Sequence, residues 1–189
     1  MYAFAECAHS CRLVVTGGNA INETLETLWK RRSIRKYKPE PVLEADLHLI
    51  LEAARRAPTG SNKQNWKMIV VTNPEMRRKT AEACSGQMWM ADAAAILCLV
   101  TLPGEGKVNG TIVLDHAILA ATSLGYGTCW IGAYDEAQVK AVLGIPNDHG
   151  LVCLTPVGVP AEEPAARPRK PREVLFAENG FDKPMDYEL

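Results

Sequence analysis

Arg31, Arg32 and Arg35 place three guanidinium groups within five residues, with the hydroxyl of Ser33 among them. A guanidinium is a planar fork of donors that matches phosphate oxygens, and a serine hydroxyl adds one more donor. A second basic cluster, Arg167, Arg169 and Lys170, lies near the other end of the chain. The formal net charge is -1, so both clusters are local concentrations on a near-neutral protein. Together they could close on one phosphate monoester. The plainer alternative for the first cluster is a solvated helix end, where basic residues are favoured anyway.

Two further stretches carry polar or conformational chemistry. Residues 57–66, Ala-Pro-Thr-Gly-Ser-Asn-Lys-Gln-Asn-Trp, pack hydroxyl and amide groups into one loop dense in turn residues. Loops of this kind on a rigid scaffold often hold ligands. Residues 125–132, Gly-Tyr-Gly-Thr-Cys-Trp-Ile-Gly, let backbone approach a planar ligand closely and offer it amide donors. Each also reads as an ordinary connection, with Trp66 anchoring the strand that follows.

These pieces need elements to position them. Asn22 as an N-cap opens a helix with Leu25 and Leu28 on one face, which runs into the arginine cluster. A second helix over 44–56 carries the stripe Leu43, Leu47, Ile50, Leu51 and Ala54. Strands are predicted at 68–72, 94–101 and 151–159, and the last two read as buried on both faces. Helices are predicted at 74–84, at 111–124 and at 135–143, the last capped by Asp135 and stopped by Gly144. Small residues on the 111–124 helix (Ala117, Ala120, Ala121) predict a close partner helix. Residues 129–131 are extended, and 173–176 read as a final short strand. Strands and helices alternate without a strict repeat, which predicts an α+β sandwich.

The 189 residues and 47% apolar composition suit one domain with a substantial core. The pI of about 6.4 argues against nucleic acid as a partner. The longest apolar run, 93–100, is far short of the roughly 20 residues that span a bilayer, so no membrane partner is expected. Residues 1–20 read as an N-terminal extension, since the first eighteen make a poor secretory signal. Residues 21–181 read as the domain and 182–189 as a tail. The six cysteines show no disulfide spacing, and a reducing cytoplasm is the default. Cys7, His9 and Cys11 lack a fourth ligand at zinc spacing. His48, His116 and His149 read as solvated or structural.

In this order the motifs resemble the FMN-dependent nitroreductase family. The Arg-Arg-Ser-Ile-Arg opening after a helix, the 57–66 loop and the 125–132 run carry the likeness. Asp115-His116-Ala117, and Pro156-Val157-Gly158 followed by Arg-Pro-Arg-Lys-Pro, complete it. The resemblance covers about 23–181. It implies a mixed central sheet flanked by helices in a three-layer sandwich, and an intertwined homodimer with its active site at the subunit interface. It implies bound FMN, with NADH or NADPH as electron donor and a nitroaromatic, quinone or similar acceptor, in ping-pong order. Arg31, Arg32, Ser33 and Arg35 would bind the FMN phosphate and ribityl chain, joined by Arg167 and Arg169. Pro58, Thr59, Gly60, Ser61, Asn62 and Gln64 would approach from the other subunit. Trp130, Ile131 and Gly132 would lie along the ring, and Gln87 where some relatives touch its edge. No residue is nominated as catalytic acid or base, and no metal is expected. Two departures stand out. Asn65 occupies a position where proline is common, and the chain lacks the long insertion that larger relatives place over the substrate side. A specialised flavin-fragmenting, dehalogenating or azoline-oxidising enzyme, or a flavin-sequestering protein, are the alternatives.

Overall fold

Every residue of Ala95–Thr101 is buried, and such a strand needs a layer on each of its faces. This strand, β2, lies inside a four-stranded sheet of order β1-β2-β4-β3, with β1 at Trp66–Val71, β3 at Gly127–Thr128 and β4 at Gly150–Gly158. All three ladders are antiparallel. The mixed character comes from one parallel bridge, Ser33 to Thr128, that sets the arginine segment against β3.

Alternation along β2 separates the two faces. Ile96, Cys98 and Val100 pack with Ala81, Met90 and Val139, beneath α3 (Pro74–Ala83) and α5 (Glu136–Leu143). Leu97 and Leu99 pack with Ile50, Leu114 and Ile118, beneath α2 (Glu44–Arg55) and α4 (Lys107–Ser123). This is the expected sandwich of three layers. A register shift between Leu99 and Val100 accommodates the longer β4.

The computed structural model describes residues 22–185. They fall into two units: Glu26–Ala166, which holds the sandwich, and the residues up to Leu25 together with those from Arg167 onward. The readings for residues 1–18, including Cys7, His9 and Cys11, lie outside the described residues. Among the described residues no helix is long and apolar enough to cross a membrane.

The Asn22, Asp135 and Gly144 signals held. Asn22 Oδ1 accepts from Leu25 N–H at 3.0 Å, opening α1 (Glu23–Lys30). Asp135 Oδ1 accepts from Gln138 N–H at 3.0 Å, and Gly144 closes α5 in the left-handed conformation. Two elements differ from expectation. Helix α4 begins at Lys107 rather than 111, because its first turn is polar and contains Gly110. That glycine is buried, and a Cβ there would lie 2.7 Å from Val152 Cγ2, so the apolar pattern starts one turn late. Residues 173–176 are not a strand: Arg172–Leu175 forms a helical turn, α6. Pro171 precedes it with a fixed φ suited to a helix start, and Phe176 N–H donates to Arg172 O at 2.8 Å.

Candidate functional site

The arginine segment leaves α1 and runs extended along the edge beyond β3. Ile34 N–H donates to Thr128 O at 2.8 Å, and Lys38 N–H to Val159 O at 2.9 Å. Extended backbone sends alternate side chains to opposite sides. The cluster therefore splits. Arg31, Ser33 and Arg35 gather around the buried thiol of Cys129. Ile34 goes the other way and packs on Gly127, where a Cβ would lie 2.8 Å from the isoleucine Cβ.

Arg32 parts from its neighbours. Its Nη1 donates to Arg31 O at 3.0 Å and to Trp29 O, satisfying carbonyls at the end of α1. It lines a cavity of about 510 Å³ with Lys30, Lys38, Tyr126, Glu162 and Glu163. Arg31 Nη1, by contrast, is buried and has no hydrogen-bond partner among the described residues. A guanidinium donor that has lost its water and found no acceptor in its own chain fits an anionic oxygen from outside. Thr128 Oγ1, at the Ser33 bridge, is likewise buried and unanswered.

The electrostatics around this group are mixed. Arg35 N–H donates to Glu162 Oε1 at 2.6 Å, so one carboxylate already sits beside the cations. Burial pushes the Cys129 thiol up, and Arg35, Ser33 and Arg31 partly offset it. Tyr37 is also raised, chiefly by burial, and donates its hydroxyl proton to Ile34 O at 2.8 Å. Neither group is set up to ionise near neutrality, so both act as floor under the cations.

The polar loop is wound tightly. Pro58 and Thr59 lead into a turn at Gly60–Asn62. Ser61, Asn62 and Gln64 all take positive φ, at 52°, 54° and 53°. Gln64 N–H donates to Thr59 Oγ1, and its Nε2 to Asn62 O and Oδ1, each at 3.1 Å. Gly60 N–H donates to Asn109 Oδ1 at 3.1 Å, which places the loop at the N-terminal end of α4. The arginine segment lies at the other end, where Arg32 and Thr122 share a cavity. From Asn109 to Thr122 the helix rises about 20 Å.

In the glycine-containing run, Cys129 N–H donates to Thr155 Oγ1 at 3.3 Å. Ile131 exchanges hydrogen bonds with Leu154, at 2.9 and 3.3 Å, and buries its side chain in the core. Both its backbone groups are therefore spent on the sheet. Gly132 is exposed, with open space where a side chain would stand. Trp130, half-buried, packs against the Leu97–Leu114 face. Gln87 Nε2 donates to Cys84 O at 3.0 Å and to Ala133 O at 3.1 Å, so it braces the backbone next to Gly132. Arg167 and Arg169 belong to the smaller unit, where Arg169 Nη1 donates to Arg167 O at 3.4 Å.

The sequence reading missed three positions: Asn109, Glu105 and Glu162. Asn109 and Glu105 lie between the strand read at 94–101 and the helix read at 111–124, and a lone polar residue there gives no sign of its partner. Two histidines have partners within the chain: His116 Nδ1 lies 3.0 Å from Ile112 O and His149 Nδ1 2.8 Å from Asp148 Oδ1.

Comparison with known proteins agrees with this geometry. The family model described as "Nitroreductase family" matches residues 28–101 and 105–159. A protein of Archaeoglobus fulgidus named "Putative NADH dehydrogenase/NAD(P)H nitroreductase" is 36% identical over 154 residues, covering 76% of this chain and 88% of its own. The "FMN reductase [NAD(P)H]" of Bacillus subtilis is 31% identical over 181 residues, covering 82% of this chain and 73% of its own. Among solved structures, the NADPH:FMN oxidoreductase of Vibrio harveyi complexed with NAD+ superposes with a TM-score of 0.79. It is 27% identical, over 85% of this chain and 78% of that one. With the ordered motifs, the three-layer sandwich and the family match all in agreement, this chain belongs to the nitroreductase family.

Proposed function

We propose that this chain is an FMN-dependent oxidoreductase. It passes electrons from NADH or NADPH to a small acceptor such as a nitroaromatic or a quinone, and works in the cytoplasm as a homodimer with its site at the subunit interface. The observation that carries the reading is the buried, unanswered Arg31 Nη1 beside Ser33 and Arg35. It occurs in a family whose relatives are named for FMN and NAD(P)H. A bound flavin supplies the hydride-transfer chemistry; the protein supplies binding, orientation and electrostatics.

Within 21–181, the proposed flavin-binding domain, Arg31, Ser33 and Arg35 hold the phosphate and ribityl chain. Arg32 is left to secure the end of α1. Gly132 offers an open backbone N–H to the ring edge, with Gln87 bracing the neighbouring peptide. Trp130 flanks the ring, whereas Ile131 contributes only by holding this run to β4. No side chain is assigned a proton-transfer role.

The separation of loop and arginines along α4 favours a second copy. The residues Pro58, Thr59, Gly60, Ser61, Asn62 and Gln64 that join the arginines would then come from a neighbouring chain. Exposed Leu28 and Trp29 of α1 and Leu49 of α2 offer apolar surface for such an interface. Four described cysteines, all free, suit a reducing compartment.

The test is a visible spectrum of the protein as purified, then anaerobic titration with each nicotinamide. Bound flavin bleached by NADH or NADPH is expected. Colourless protein that takes up no added FMN overturns the proposal.

A further inference from the structure

The 59–65 loop is gripped from outside at both ends, and the grips come from one short connection. At its start, Gly60 N–H donates to Asn109 Oδ1 at 3.1 Å. At its end, Asn65 Nδ2 donates to Glu105 Oε1 at 2.7 Å, and Leu102 N–H donates to Asn65 O at 3.2 Å. Glu105 is itself held, since its N–H donates to Leu102 O at 3.2 Å. Leu102 and Glu105 lie between β2 and α4, and Asn109 lies in the first turn of α4. That turn is seated on the sheet through Gly110.

Between the grips, Ser61, Asn62 and Gln64 are left-handed. This region costs free energy for residues with a Cβ, so the loop would relax if released. A proline at residue 65 would push Gln64 toward extended backbone. Asparagine permits the left-handed Gln64 and brings an amide donor to Glu105.

We propose that Asn109, Glu105 and Asn65 are positioning residues: they clamp the loop so that its Thr59–Gln64 polar groups are presented in one arrangement to the flavin of the neighbouring copy. This rests on the functional reading above. None of the three touches the cofactor in this role. Their effect is to remove the ordering cost that a free loop would impose on binding.

Lys63 is exposed at the middle of the loop, so trypsin cleavage after it reports loop release in the absence of flavin. The experiment compares wild type with Glu105→Ala and Asn109→Ala, and with Glu105→Gln and Asn109→Asp, which keep the accepting oxygen. Each is read by cleavage rate at Lys63 in flavin-free protein, by FMN Kd and by thermal midpoint. Loss of one such hydrogen bond should speed cleavage and weaken FMN by about five- to tenfold. The acceptor-retaining variants should stay near wild type, and all should melt cooperatively. Unchanged cleavage and unchanged Kd in both alanine variants overturn the clamp. Faster cleavage with unchanged Kd overturns the positioning role, and if Arg31→Ala still loses FMN the oxidoreductase reading survives that result. Wild type that binds no FMN overturns both.

Discussion

Arg31 and Arg32 are neighbours in the chain and part company in space. One buries a donor with no acceptor among the described residues; the other directs its Nη1 to the carbonyls of Trp29 and Arg31 at the end of α1. Their substitutions should therefore differ in kind. Arg31→Ala removes a charge-assisted contact worth about 1.5–3 kcal/mol, so FMN affinity should fall roughly ten- to a hundredfold. Arg32→Ala should weaken FMN less and should loosen the last turn of α1. Fluorescence titration of FMN into both variants distinguishes them, and equal losses would mean that the two side chains share the phosphate after all. The run of three arginines was legible as a local cluster of cations. Which of them buries its donor was not, because the direction of each side chain depends on the bridge between Ser33 and Thr128.

At the level of elements, the short strand β3 does more than its two residues imply. Gly127 is the surface on which Ile34 rests, and that contact fixes where the arginine segment lies. A methyl group there would meet the isoleucine Cβ and both γ carbons within 2.9 Å. A β-branched side chain has little freedom to yield. Gly127→Ala should cost about 1–3 kcal/mol of overpacking, visible as a lower urea midpoint, and should also reduce FMN retention by displacing Ser33 and Arg35. A variant as stable as wild type with full FMN would show that the segment is positioned by something else. Helix α5 tests its capping signal. Asp135→Ala removes the N-cap oxygen that accepts from Gln138 N–H and should cost about 1 kcal/mol, visible as a lower urea midpoint.

Across the larger unit, four free thiols sit in or beside the core, all buried. Burial, with a smaller contribution from Cys153, pushes Cys84 up from 9.0 to about 12, and Cys98 is raised further. The native state thus holds these protons where the unfolded chain releases them. Stability from this source is complete below pH 9 and is lost as pH rises toward 12, at about 1.4 kcal/mol per pH unit per thiol. Chemical denaturation at pH 8 and pH 10.5 should show the fall. A thiol reagent should reach these four cysteines only after unfolding, and rapid native labelling of Cys98 would contradict the packing. Periodicity and capping were enough to read most helices and the buried strands from the chain, because those signals are local: the Leu47–Ala54 stripe (Leu43, read with it, is the exposed residue before α2), Asn22, Asp135, Gly144. The arginine cluster and the polar loop were legible in the same way, as residue types at short spacing. Three-dimensional packing alone assigned Arg32 to α1, tied Asn65 to Glu105 and Gly60 to Asn109, and set loop and arginines at opposite ends of α4. Each of these depends on contacts between segments far apart in the chain or on the facing of one side chain, and composition and spacing carry no information about either.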